Sequence, residues 1–230
     1  MAGDRTEARV EQAIKSIRNS HPQAEIQGLA ADLGNVDGVR VAVQRLPDID
    51  ILVNNLGIFE PKPFEQISDE DWFRFFEVNV MSGVRLSRSY LPGMKKRNWG
   101  RIVFISSESA VQIPAEMIHY GMTKTAQLAI SRGLAETTAG TGVTVNSVLP
   151  GPTASEGVNE FVDRMAAASK QTKAELETEF FGNIRPSSLL RRFARPEEVA
   201  ALVVFVCSPL ASATNGAALR ADGGVVRSIL

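Results

Sequence analysis

A chain of 230 residues, 44% hydrophobic and 22% charged with a formal net charge of −1, is long enough for one α/β domain (residues 1–230) with a sizeable core. That charge balance offers no electrostatic footing for nucleic acid or an anionic membrane, and no stretch approaches the ~18 uncharged apolar residues of a membrane span. The lone cysteine, Cys207, sits in the apolar run 200–207, which excludes an internal disulfide and reads as a buried structural thiol.

In chain order, residues 1–5 lead straight into a helix with Thr6 as its N-cap and Val10, Ala13, Ile14 and Ile17 as its apolar stripe. Residues 25–33 read as a strand. Val36, Val39, Val43 and Leu46 mark a second helix. Residues 50–54 form a short apolar strand of the kind covered on both faces in a parallel sheet. Ser68 caps one long helix that runs to Leu91, with Asp71 at the capping-box position. Strands follow at 101–106 and 143–149, with a helix between them. Residues 151–195 are polar, irregular and partly helical, and Pro196 opens a helix ahead of a last strand at 217–221. Strands alternating with helices predict a doubly wound parallel sheet, with ligands bound beyond the carboxyl ends of the strands.

One such end carries chemistry. Ser107 follows the 101–106 strand, and Tyr120 and Lys124 stand four apart on the next helix, so they share a face. A phenol has an ordinary pKa near ~10, and a neighbouring ammonium favours its ionised form. The serine can hold a carbonyl or alcohol oxygen while the tyrosine moves the proton. In this pattern the chain resembles the short-chain dehydrogenase/reductase family, with Ser107, Tyr120 and Lys124 matching its serine, tyrosine and lysine. The resemblance implies a Rossmann-like fold and hydride transfer between a nicotinamide cofactor and a small-molecule carbonyl/alcohol pair. It adds Asn79, in 76–81, as the anchor of a water relay to the lysine.

The same resemblance places the cofactor. Asn54 and Asn55 with Gly57 match the family's Asn-Asn-Ala-Gly, with Leu56 in place of alanine. Asp32 and Leu33 would lie at the adenine. Pro150 and Gly151 match its Pro-Gly, and Ser155 stands where it has a threonine against the nicotinamide carboxamide. Tyr120 and Lys124 would also touch the nicotinamide ribose. Asp4 and Arg5 lie where ribose hydroxyls (NAD) are told from a 2′-phosphate (NADP), with Asp4 leaning the expectation to NAD. His21 and His119, the only histidines, form no metal site; His119 is read as surface or packing. The region 152–195, with Phe161, Met165, Leu176, Phe180, Phe181, Leu189 and Leu190, looks apolar enough to cover a hydrophobic substrate.

Absent from these 230 residues is the family's glycine-rich turn: neither Gly-x-x-x-Gly-x-Gly nor Gly-x-Gly-x-x-Gly occurs among the 18 glycines. The expectation is therefore a sheet missing its first strand–helix unit, which should leave unpaired backbone groups beside residues 50–54. The resemblance implies that the long apolar helices form an interface, hence a homodimer or homotetramer, and the charged first residues suggest a cytoplasmic protein. The alternative to an enzyme is a catalytically inactive relative acting as an oligomeric or interaction subunit.

Overall fold

A computed structural model of the chain describes residues 2–4, 6–169 and 171–229. Among the described residues six parallel strands alternate with helices, as the pattern requires, but they form two sheets. Strand β1 (Ala2–Asp4) pairs only with β2 (Gly28–Ala30), and α1 (Glu7–Ser20) crosses between them. The second sheet has the order β3-β4-β5-β6, built from Ile51–Asn54, Gly100–Ile105, Val143–Pro150 and Ala218–Ala221.

Two boundaries are corrected here. Residues 2–4 are a strand rather than a run into the helix. The strand predicted over 25–33 is only three residues long, because its ladder ends where its three-residue partner does.

Helix α2 (Val36–Arg45) starts at Asn35, whose side chain accepts from Gly38 N–H at 2.9 Å. It packs with α4 (Ser82–Arg97) and α5 (Ile118–Glu136) on one face of the sheets. Leu29, Tyr90, Met94, Ile102, Phe104, Val143 and Val145 form the core between those layers. The opposite face of β4 and β5 is covered by α8 (Pro196–Cys207) through Val103, Val148, Val199 and Val206. Cys207 packs against this second cluster and is partly rather than fully buried.

That second layer stops short of β3. Ile51 and Val53 are 43% and 40% exposed, so the strand expected to be covered on both faces is covered on one. No strand among the described residues pairs with its outer edge.

The long helix predicted from Ser68 to Leu91 is interrupted. Ser68 accepts from Asp71 N–H at 3.2 Å and caps α3 (Asp69–Phe76). A π turn over Glu77–Met81 follows, and only then α4, which runs on to Arg97. The remaining helices are α6 (Glu156–Ser169) and α7 (Lys173–Glu179), the latter followed by a second π turn, Phe180–Ile184. No helix among the described residues is long and apolar enough to cross a membrane.

Candidate active site

The site forms where β3 and β4 end and α5 begins. Ser107 leaves β4 and caps a short 3-10 turn, Glu108–Ala110. Its Oγ accepts from Ser109 N–H at 3.1 Å and donates to Oε2 of Glu108 at 2.5 Å. One residue earlier, Ser106 Oγ donates to the Lys124 carbonyl at 2.9 Å, which fixes α5 against the strand end. Lys124 is buried; its Nζ donates to Ile105 O at 2.9 Å and lies 5.6 Å from the centre of the Tyr120 ring. The Tyr120 ring meets Phe59 edge-on with 6.5 Å between centroids.

Asn79 sits in the first π turn, where an extra residue per turn frees groups that an α-helix would use. Its amide clamps the loop after β3: Oδ1 accepts from Ile58 N–H at 2.7 Å and Nδ2 donates to Ile58 O at 3.0 Å. The same Nδ2 reaches Thr123 Oγ1 at 3.0 Å, and Thr123 donates to the Tyr120 carbonyl at 2.7 Å. Gln127, one turn beyond Lys124, donates to the Asn79 carbonyl at 2.6 Å and accepts from Lys124 Nζ at 3.5 Å. Its amide thus spans the gap between asparagine and lysine that the family resemblance fills with a relay water.

Burial controls both titrating groups. It pushes the Tyr120 phenol above its ordinary value, with Glu108 adding to the rise and the Ser107 hydrogen bond and Arg185 charge opposing it. This corrects the expectation that Lys124 holds the phenol down: desolvation outweighs the favourable neighbours. Burial also pushes Lys124 down to about 8, against the pull of the Glu108 charge.

Three participants went unread in the sequence. Glu108 follows the serine directly and is 5% exposed. Gln127 lies three residues beyond Lys124, on the same helix face, and that spacing was a usable signal. Arg185, 77 positions after Glu108, gave none; it donates from Nε to Glu108 Oε1 at 3.2 Å and from Nη1 to Glu116 Oε1 at 3.0 Å.

The residues assigned to cofactor binding divide into two groups. Gly57 faces the site: a Cβ there would stand 3.5 Å from Lys124 Nζ and 3.6 Å from Asn79 Oδ1. Asn54 is buried, its Nδ2 donates to Ser87 Oγ at 3.3 Å, and its Oδ1 has no partner among the described residues. Asn55 is exposed beside them.

The others are engaged by the chain itself. Asp32 accepts from Gly34 N–H at 3.1 Å and Asn35 Nδ2 at 3.0 Å, fastening the turn into α2. Leu33 packs on the core. Gly151, following Pro150 at the end of β5, lies so close to the 222 turn that a Cβ would be 2.4 Å from Asp222 O. Ser155 Oγ accepts from Val158 N–H at 3.4 Å at the start of α6. Asp4 ends β1. Arg5 lies outside the described residues, as do the side chains of Asp4, Phe161 and Met165.

His119 is a packing residue, fully buried with its ring 4.0 Å from that of Phe75, and burial pushes its pKa down. In the covering region Phe180, Phe181 and Phe193 stack with centroids 5.0 to 5.2 Å apart. Phe181 and Leu176 are buried, so the region spends much of its apolar surface on its own core, while Leu189 is exposed.

Residues 2–226 match the family model described as enoyl-(acyl carrier protein) reductase. The chain is 51% identical over 225 residues to the oxidoreductase YvaG of Bacillus subtilis, covering 98% of this chain and 85% of that protein. It is 32% identical over 227 residues to a D-beta-hydroxybutyrate dehydrogenase of Cupriavidus necator, covering 97% and 84% of the two. The crystal structure of L-sorbose reductase from Gluconobacter frateurii, complexed with NADPH and L-sorbose, superposes with a TM-score of 0.90 at 28% identity, over 99% of this chain and 86% of that one.

Proposed function

The chain belongs to the short-chain dehydrogenase/reductase family, NAD(P)-dependent oxidoreductases, and on that premise we propose that it interconverts a carbonyl and an alcohol with Ser107, Tyr120, Lys124 and Asn79 as its proton-handling site. The observation that carries the reading is the bonded network itself. Asn79, Thr123, Lys124 and Gln127 link the loop after β3 to α5, and Ser106 and Ser107 tie that helix and the site to β4.

When bound, the nicotinamide cofactor supplies or accepts the hydride. Tyr120 gives the substrate oxygen its proton in reduction and takes it in oxidation. Ser107 positions that oxygen. Lys124, at about 8, changes charge within reach of working pH, and Gln127 offers its ammonium a path to the Asn79 carbonyl. Gly57, the unpartnered Asn54 oxygen and Lys124 would hold the nicotinamide end. Asp4 leans the selection toward NAD.

The phosphate end is the weaker half. The sheet is split between β2 and β3, and neither glycine-rich spacing occurs in these 230 residues. Exposed Phe73 (74%), Val204 (68%) and Leu210 (85%) support a homodimer or homotetramer.

Titration with NADH and NADPH followed by turnover against ketones tests the reading. Saturable binding is expected, and Tyr120→Phe should cut turnover by about a thousandfold while leaving the fold intact. Undiminished turnover in that variant, or no binding of either nucleotide, overturns it; the second result favours an interaction subunit.

A further inference from the structure

A run of charged side chains leads outward from Ser107. The serine Oγ lies 2.5 Å from Oε2 of Glu108, and the other oxygen of that carboxylate accepts from Arg185 Nε at 3.2 Å. Glu108 and Arg185 are 5% and 8% exposed. Arg185 reaches on to Glu116, in the turn Ala115–Met117 just before α5, donating from Nη1 to Oε1 at 3.0 Å. The second Nη1 proton goes to Ile184 O at 3.0 Å.

A guanidinium has five N–H donors, and three of them are now spent. The two on Nη2 make no bond among the described residues, and Nη2 is not sealed from solvent. Glu116 is in the matching position with the opposite sign. Its Oε2 accepts from no donor among the described residues, and its side chain is 42% exposed. Spare donors and a spare acceptor therefore stand on two groups that are bonded to each other, a few atoms out from the serine. The Arg185 charge acts on the Tyr120 phenol, so the guanidinium lies on the side of the covering region that faces the site.

This mixture selects its ligand. An anion drawn to Nη2 would meet Glu116, with Glu108 close behind: two acids to one base. A cation drawn to Oε2 would meet Arg185. An alkyl chain would strip water from both groups and leave them unpaired, which is costly for charged atoms. A hydroxyl donates and accepts at once, so two neighbouring hydroxyls satisfy Nη2 and Oε2 together. The aromatic surface that would take an alkyl chain is spent internally, since Phe180, Phe181 and Phe193 pack on one another and Phe181 is 2% exposed.

We infer that Arg185 Nη2 and Glu116 Oε2 form a subsite for neighbouring hydroxyl groups, and that the substrate is an uncharged polyhydroxylated ketone, or the matching alcohol, rather than a fatty or aromatic one. This rests on the carbonyl/alcohol reading above and names its substrate class. It also replaces the expectation of a hydrophobic substrate under the covering region.

The test compares four short ketones with the reduced cofactors: erythrulose, which carries three hydroxyls, 2-butanone, which carries none, acetoacetate, which is anionic, and aminoacetone, which is cationic. Erythrulose should exceed each of the others in kcat/KM by about a hundredfold, because a site built for hydroxyls rejects an analogue that leaves its polar groups unpaired. In Glu116→Ala the ratio of kcat/KM for erythrulose to that for 2-butanone should fall about tenfold, one charge-assisted hydrogen bond's worth. Arg185→Lys keeps a charge beside Glu108 but loses the fork, and should lower the same ratio. Each ratio is taken within one protein sample, so a partly unfolded variant still reports. Preference of the wild-type chain for 2-butanone, acetoacetate or aminoacetone, or an unchanged ratio in Glu116→Ala, would overturn the inference while the carbonyl/alcohol reading stands. Turnover of none of the four with either cofactor would overturn that reading, and the inference with it.

Discussion

β4 and β3 are neighbours in one sheet, joined in register from Ile51 opposite Arg101 to Asn54 opposite Phe104, yet they live in different environments. The first five residues of β4 are all buried, packed by α4 and α5 on one side and α8 on the other. β3 alternates exposed and buried, with an open edge and a bare apolar face. The half of the molecule that carries Ser107, Tyr120 and Lys124 is therefore closed and over-determined, while the outer edge of β3 is open.

The sharpest way to break that comparison is to cut into each strand. Phe104→Ala removes a ring with no exposed surface, and urea unfolding should show a loss of roughly 3–5 kcal/mol. The pH dependence of stability comes next. Lys124 is held at about 8 against an ordinary 10.5, so below pH 8 the fold bears the whole penalty of a buried cation. As pH rises from 8 toward 10.5 the unfolded chain binds the extra proton, and stability should increase by up to roughly 3 kcal/mol. Lys124→Met should lack this rise; an identical pH profile in both proteins would mean that the ammonium is solvated. The smallest effect belongs to Ile51→Ser on β3, which at 43% exposure should cost less than about 0.5 kcal/mol. A loss of several kcal/mol there would show that the outer face of β3 is covered in solution, and the contrast with β4 would collapse.

Elements governed by local rules were legible in the sequence. Thr6 and Ser68 cap the helices they were expected to cap, with bonds to Arg9 and Asp71 N–H. The apolar runs over 101–106 and 143–149 are the buried strands, and the tyrosine and lysine do share a helix face beside Ser107. What failed depends on tertiary context. An apolar run such as ILVN does not record whether a second layer exists to cover it. Asp32 and Ser155, expected at the cofactor, also accept from their own backbone, at Gly34 and Val158 N–H. The Tyr120 pKa was misjudged because spacing reveals a neighbouring cation but not the desolvation that outweighs it. Arg185 reaches Glu108 only through folding.

The π turn at Glu77–Met81 also sets the helical phase of everything after it. An α-helix advances about 100° per residue, and the bulge inserts one residue's worth of lag between α3 and α4. Phe75 before it and Leu86, Tyr90 and Met94 after it are all buried, so an apolar stripe is kept on both sides of the turn. Deleting a single residue here would let the rod run uninterrupted with its flanking stripes in place, but it would remove the widened turn that carries Asn79 to Thr123. The turn is thus the place where this rod accommodates an extra residue, and what that residue supports is the reach of Asn79 rather than the core.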